Sequence, residues 1–157
     1  MSIVLLQSLS LIAAVTSALL AGVYFIFHNT IMTVLDQQNA IATMQRINQV
    51  ILNKGFLTIF FLSPLSSLLL LVTGFMLDEL GFQSLLFIGA LTAIIGFMVT
   101  AFFNVPLNNA LAAAGEDKNA MLVWQRYTKN WGNWNYYRLW LSTLSCIGII
   151  SHFVFQT

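Results

Sequence analysis

Four apolar runs divide this chain, at about residues 3–35, 56–77, 85–103 and 134–155. Each supplies the roughly 20 mainly apolar residues that a helix needs to cross about 30 Å of hydrocarbon. The first holds no charged residue. At about 1.5 Å per residue it would be near 50 Å long, so it must tilt or project from the bilayer. It is too long for the apolar part of a signal peptide, and no Lys or Arg precedes it.

Polar residues inside the runs recur at helical spacing. Ser17, Tyr24 and His28 are separated by seven and four positions, and Asn135, Arg138, Ser142 and Ser145 form a second stripe. Gly89 and Ala93 suit close helix packing, and Asn104 and Asn108 stand one turn apart where the third run ends. Polar groups facing lipid are costly, so these stripes are expected to face inward.

Runs two and three are joined by the short turn "DELGF" at 78–82 and form an antiparallel hairpin. The first connection, 36–55, carries Ile41, Met44, Ile47 and Ile51 on one face and reads as an amphipathic surface helix. The third, 104–133, signals two helical pieces. Pro106 suits a first turn, Gly115 a stop, Asp117 a second cap, and Trp131–Gly132 the end of the second piece. Trp124, Tyr127 and Trp131 share one face of that piece. The expected fold is all-α: a polytopic membrane protein whose single domain, 1–157, is a four-transmembrane-helix bundle. Amphipathic helices fill its first and third connections.

Composition agrees. Of 157 residues, 59% are hydrophobic and 7% charged, against roughly 25% charged in a soluble domain. A net charge of +1 gives no field for nucleic acid. Cys146, the one cysteine, cannot form an intramolecular disulfide. Arg46, Lys54, Lys118, Arg126 and Lys129 all fall in the two long connections or at their edges. The positive-inside rule then places those connections in the cytoplasm and both termini outside.

His28, Asn104, Asn108, Asn135 and Arg138 all lie toward the long-connection ends of their helices, where they could line a polar pocket. Each has a plainer reading. Arg138 can snorkel to head groups, and the tryptophans at 124, 131, 134 and 140 suit an aromatic belt. Asn104 and Asn133 suit caps, and His28 suits helix packing, although an imidazole can take a proton near neutral pH. Asp36 is on the pocket side but can cap the surface helix, whereas Asp78 and Glu79 are on the hairpin side. His28 and His152 fall at opposite membrane edges and cannot build a His-rich metal site. No nucleotide, zinc or redox motif occurs, and no internal repeat supports an alternating-access transporter. Homo-oligomerisation stays open.

Two paired motifs carry a resemblance: "FNVPLNNAL" at 103–111, then "WGNWNYYR" at 131–138 after a Trp-containing helix. With "GVYFIFHNTIM" at 22–32 and "ATMQRINQVILNKGF" at 42–56, the chain resembles the anthrone oxygenase-like family of small four-helix membrane proteins. Thr33 and Lys54 stand where that family often has proline. The resemblance implies oxidation by O2 of a lipophilic, enolisable aromatic compound such as an anthrone, whose central CH2 is acidic. The carbanion can pass an electron to O2 itself, so neither flavin nor metal is strictly required; no cofactor is expected, and haem or a metal is left open. The family's motif positions coincide with Asn104, Asn108, Trp131, Asn135 and Arg138. Arg138 and Asn135 are then expected to stabilise an oxyanion, and Asn104 and Asn108 to orient substrate. Trp124 and Trp131 would stack on it, Tyr24 would border it, and His28, on proximity alone, would be the base. The expected partners are a lipophilic small molecule and the bilayer. The rival reading is a non-catalytic membrane protein for small-molecule binding, export or accessory function.

Overall fold

The computed structural model describes residues 2–35, 39–77, 84–115 and 119–155. The turn at 78–82, the caps Asp36 and Asp117, and all five acidic side chains (at 36, 78, 79, 116 and 117) lie outside the described residues. All regular structure among the described residues is helical. Helix α1 (Ser2–Ile26) runs through a π turn (Phe27–Ile31) into the short α2 (Met32–Val34). Then come α3 (Ala40–Val50) and α4 (Lys54–Met76). Helix α5 (Leu85–Val99) passes through a second π turn (Thr100–Asn104) into α6 (Val105–Ala112), and α7 (Ala120–Phe155) ends the chain.

Three of these helices are long and apolar enough to cross a membrane: Val4–Val34, Lys54–Met76 and Leu85–Ala112. Two expected breaks are absent. The third run does not stop at 103 but continues through the π turn to Ala112, and α7 runs unbroken for 36 residues across Trp131–Gly132. Pro106 accounts for the second π turn. Its ring would crowd the carbonyl of Phe102 in an α-helix, and a wider turn just before it relieves that clash. Nothing in the sequence of Phe27–Ile31 explains the first.

Helix α1 packs on α4 and α7, and α5 packs on the same two, so the four long helices form a ring in the order α1, α4, α5, α7. Leu6 and Leu9 near the start of the chain cluster with Leu70, Leu86 and Ile149. Phe27 clusters with Met44, Leu111 and Trp131. Successive long helices therefore alternate in direction: both chain ends share one end of the molecule, and α3, α6 and the start of α7 share the other. Met44 on α3 is fully buried there, as its apolar face predicts.

The middle of the ring is small and polar. Ser17 Oγ lies 3.0 Å from Ser145 Oγ and 3.3 Å from Ser63 Oγ, which links α1, α4 and α7. Such bonds between membrane helices average only about 0.6 kcal/mol, so close packing must add to them. Helices α5 and α7 cross at Gly89 and Gly148. A Cβ on Gly148 would stand 2.9 Å from the Leu85 carbonyl oxygen, and one on Gly89 would stand 2.8 Å from the Ile149 nitrogen. Large apolar side chains such as Leu11, Phe61, Leu65 and Ile147 point outward, as lipid contact requires.

Gly89→Ala and Gly148→Ala should each lower the thermal unfolding midpoint in detergent, because overpacking costs about 1–3 kcal/mol. Gly22→Ala, with nothing within 4 Å of the new methyl, should be neutral or stabilising, since Ala is favoured over Gly inside a helix by about 1 kcal/mol. Equal midpoints for all three would contradict this helix crossing.

Candidate functional site

Helix α7 organises the end where α3 and α6 lie. On its inward face Arg138 is only 5% exposed and Asn135 is fully buried. Arg138 Nη2 donates to Asn135 Oδ1 at 2.9 Å, and Nη1 donates to Thr100 Oγ1 at 3.4 Å. Its guanidinium carbon stands 4.3 Å from the centre of the Tyr24 ring and 5.2 Å from that of Trp131. Desolvated cation–π contacts of this kind reach about 2 kcal/mol. Asn135 Nδ2 donates to the Tyr24 carbonyl at 2.9 Å. This cluster ties α1, the second π turn and α7 together.

A second layer lies toward α3 and α6. Asn104 Nδ2 donates to the Trp131 carbonyl at 3.3 Å. The Tyr127 hydroxyl donates to Asn108 Oδ1 at 3.0 Å and accepts from Asn48 Nδ2 at 3.4 Å. Trp124, Tyr127 and Trp131 stack in sequence with centroids 5.8 and 5.7 Å apart. Gln45 Nε2 donates to the carbonyls of Leu111 and Ala114, where α6 runs out of helical partners. Burial pushes the Tyr127 hydroxyl well above the usual phenol range, outweighing the Asn48 hydrogen bond and the Arg138 charge, so Tyr127 acts as a neutral donor.

Most of the expected site residues therefore come together. Tyr24, Asn104, Trp131, Asn135 and Arg138 form one buried cluster, and Asn108 and Trp124 join it through Tyr127. Neither Asn104 nor Arg138 takes its plainer role. Asn104 makes no cap hydrogen bond, and Arg138 is buried rather than extended to head groups. Among the tryptophans, Trp140 is exposed as a belt residue would be, while Trp124 and Trp131 are interior. Arg138 Nε, Trp131 Nε1 and Asn104 Oδ1 are buried with no hydrogen-bond partner among the described residues. The cluster is otherwise closed.

His28 stands apart. His28 lies in the π turn that begins at Phe27, about 40° round the helix from Tyr24. Phe27 is buried beside Trp131, with ring centres 5.5 Å apart, and His28 is turned outward. Its ring lies 5.1 Å from that of Tyr136. His28 lines an open groove of about 490 Å3 with Met32, Thr128, Lys129, Asn133 and Tyr136. At 100° per residue, Lys129, Asn133 and Tyr136 point almost opposite to Trp131, Asn135 and Arg138, and Thr128 lies between the two faces. The expected single site of His28 with Arg138 is thus two places, a closed cluster and an open groove. Asn133, expected as a cap, sits mid-helix on the groove. Among the described residues no group of three or more His, Cys, Asp or Glu side chains could hold a metal ion.

Spacing alone did not mark Thr100 or Asn48 as partners of the cluster. Tyr127 shared the Trp124–Trp131 face, but its hydroxyl contacts depend on how α3 and α6 dock. The groove residues on α7 were detectable only as a second polar face, at 129, 133 and 136.

Long apolar helices around a buried Arg–Asn–aromatic cluster define an all-helical protein of membrane character. Residues 49–148 match the anthrone oxygenase family, and the chain belongs to that family. The matched stretch includes Asn104, Asn108, Trp124, Trp131, Asn135 and Arg138, whereas Tyr24 and His28 precede it. No curated protein and no solved structure matches the chain.

Arg138→Lys should destabilise the protein although it keeps the charge. One ammonium cannot replace the planar fork that bonds Asn135 and Thr100 while lying over Tyr24. A buried acceptor left unpaired costs about 1–3 kcal/mol, read as a lower unfolding midpoint in detergent. An unchanged midpoint would show that the cluster does not hold the helices.

Proposed function

We infer that this protein is a membrane-embedded oxygenase-like enzyme that oxidises a lipophilic, enolisable aromatic compound of the anthrone type with O2. In this reading the 134–155 part of α7, packed along α1 and α5, is a fourth span, and the α3–α6 end faces the cytoplasm. Family membership supports the reaction class. The observation that carries the site is the groove, where a histidine shares about 490 Å3 with an ammonium, an amide and a phenol.

The chemistry balances without a resident cofactor. His28 takes a proton from the substrate CH2, and Lys129, with Asn133 or Tyr136, holds the resulting enolate oxygen. The carbanion passes one electron to O2, and the radical pair joins in a C–O bond. The peroxide anion takes back the proton held by His28, and the hydroperoxide so formed loses water to leave a carbonyl. Overall CH2 and O2 become C=O and H2O.

Asn135 and Arg138 then act as positioning residues. The Asn135–Tyr24 bond fixes α7 against α1 one turn before His28, and Tyr136 is the next residue on α7. Asn104, Asn108, Trp124 and Trp131 brace the same docking through the second layer. Direct contact of substrate with Arg138, Asn135 or the tryptophans would require the closed cluster to open.

A second reading, a non-catalytic protein for small-molecule binding, export or accessory function, is favoured by that same closure. Arg138 and Asn135 are engaged with their neighbours and line none of the described grooves.

An oxygen electrode separates the two. Purified protein should consume O2 on addition of anthrone. His28→Ala should reduce the rate about 100-fold or more, with the unfolding midpoint kept because His28 is on the surface. No uptake across a panel of enolisable aromatics would sink the oxygenase reading and leave the second.

A further inference from the structure

A second cleft, of about 320 Å3, opens on another face of α7, between it and the second π turn with α6. Phe102, Phe103, Leu107, Ala110 and Trp134 make its apolar walls, and Arg126 and Asn130 are its polar members on α7 beside Tyr127. Phe103 and Trp134 stack at 3.8 Å, which fixes one wall as a flat aromatic surface. Arg126, Asn130 and Trp134 are successive i+4 positions on α7. The cleft therefore grades from a cation to an apolar floor over about 12 Å of helix rise. Trp134 lies toward the long apolar part of α7, and Arg126 toward the end that carries α3 and the other surface cations. That gradient runs in the same sense as a bilayer leaflet, with charge at the head-group level and hydrocarbon below.

We propose that this cleft binds one anionic phospholipid, with its phosphate on Arg126 and Asn130 and its acyl chain along Phe102, Phe103, Leu107 and Trp134. The volume lies near the lower end of the roughly 300–1,000 Å3 usual for small-molecule sites. Net charge selects the occupant: a zwitterionic lipid brings a phosphate whose charge its own choline cation offsets, and an uncharged aromatic fills the walls but has nothing for the exposed guanidinium. Lys129 projects toward the His28 groove and does not serve this cleft. The proposal rests on the protein lying in a membrane and not on its oxidising anything.

Native mass spectrometry of detergent-solubilised protein, with dioleoyl phosphatidylglycerol or dioleoyl phosphatidylcholine added, tests it. One phosphatidylglycerol should be retained with about fivefold or greater preference over phosphatidylcholine, in line with one cation at a membrane surface. Arg126→Gln should abolish the preference. Ala110→Trp, which fills the cleft from an exposed position, should abolish retention, and Lys129→Gln should change neither. Equal retention of the two lipids would overturn the proposal. So would an equal loss with Lys129→Gln, or tighter binding of anthracene-2-carboxylate than of the lipid at the same cleft.

Discussion

The fold depends on keeping one guanidinium out of water. A charged side chain buried among helices is costly unless its hydrogen-bonding groups and its face are occupied. Arg138 meets that requirement in part, with partners from three elements: Asn135 on its own helix, Thr100 in the second π turn, and the Tyr24 ring on α1, while its Nε has no partner among the described residues. Asn135 in turn reaches the Tyr24 carbonyl. Small changes in how α1, α5 and α7 dock would strand at least one of these groups. The serine contacts and the Gly89–Gly148 crossing act on the same long helices nearer the chain ends.

That constraint decides where chemistry is to be sought. A cation with both terminal nitrogens engaged and aromatic rings against it is poorly placed to meet a bulky substrate. It is well placed to fix the helix that carries Lys129, Asn133 and Tyr136. In the proposed reaction Asn135 and Arg138 would therefore act through position, with Lys129, Asn133 and Tyr136 on the opposite face of α7. The His28–Tyr136 ring contact lies beside the bond from Asn135 to the Tyr24 carbonyl, one turn along α1 and one residue along α7.

Much of this was legible in the sequence. Apolar length marked the long helices, and polar spacing marked which side chains turn inward: Ser17, Tyr24, Asn135, Arg138, Ser142 and Ser145 are all buried. The amphipathic face of α3 was equally clear. The sequence hid what depends on helix phase. Four positions past Tyr24, His28 stands about 40° further round the helix, and there it leaves the buried stripe through Ser17 and Tyr24. Gly132 and Asn133 read as a break because of their local propensities, but tertiary packing along α1 and α5 carries α7 through them. Partners distant in sequence, such as Asn48 with Tyr127, follow from docking and leave no periodic trace.

Isotope tracing tests the functional account most directly. Turnover of anthrone under 18O2 in ordinary water should give a product two mass units heavier, with one labelled oxygen in the new carbonyl and the other in water. Product bearing oxygen only from solvent, or substrate recovered unchanged, would contradict direct reaction of an enzyme-bound carbanion with O2.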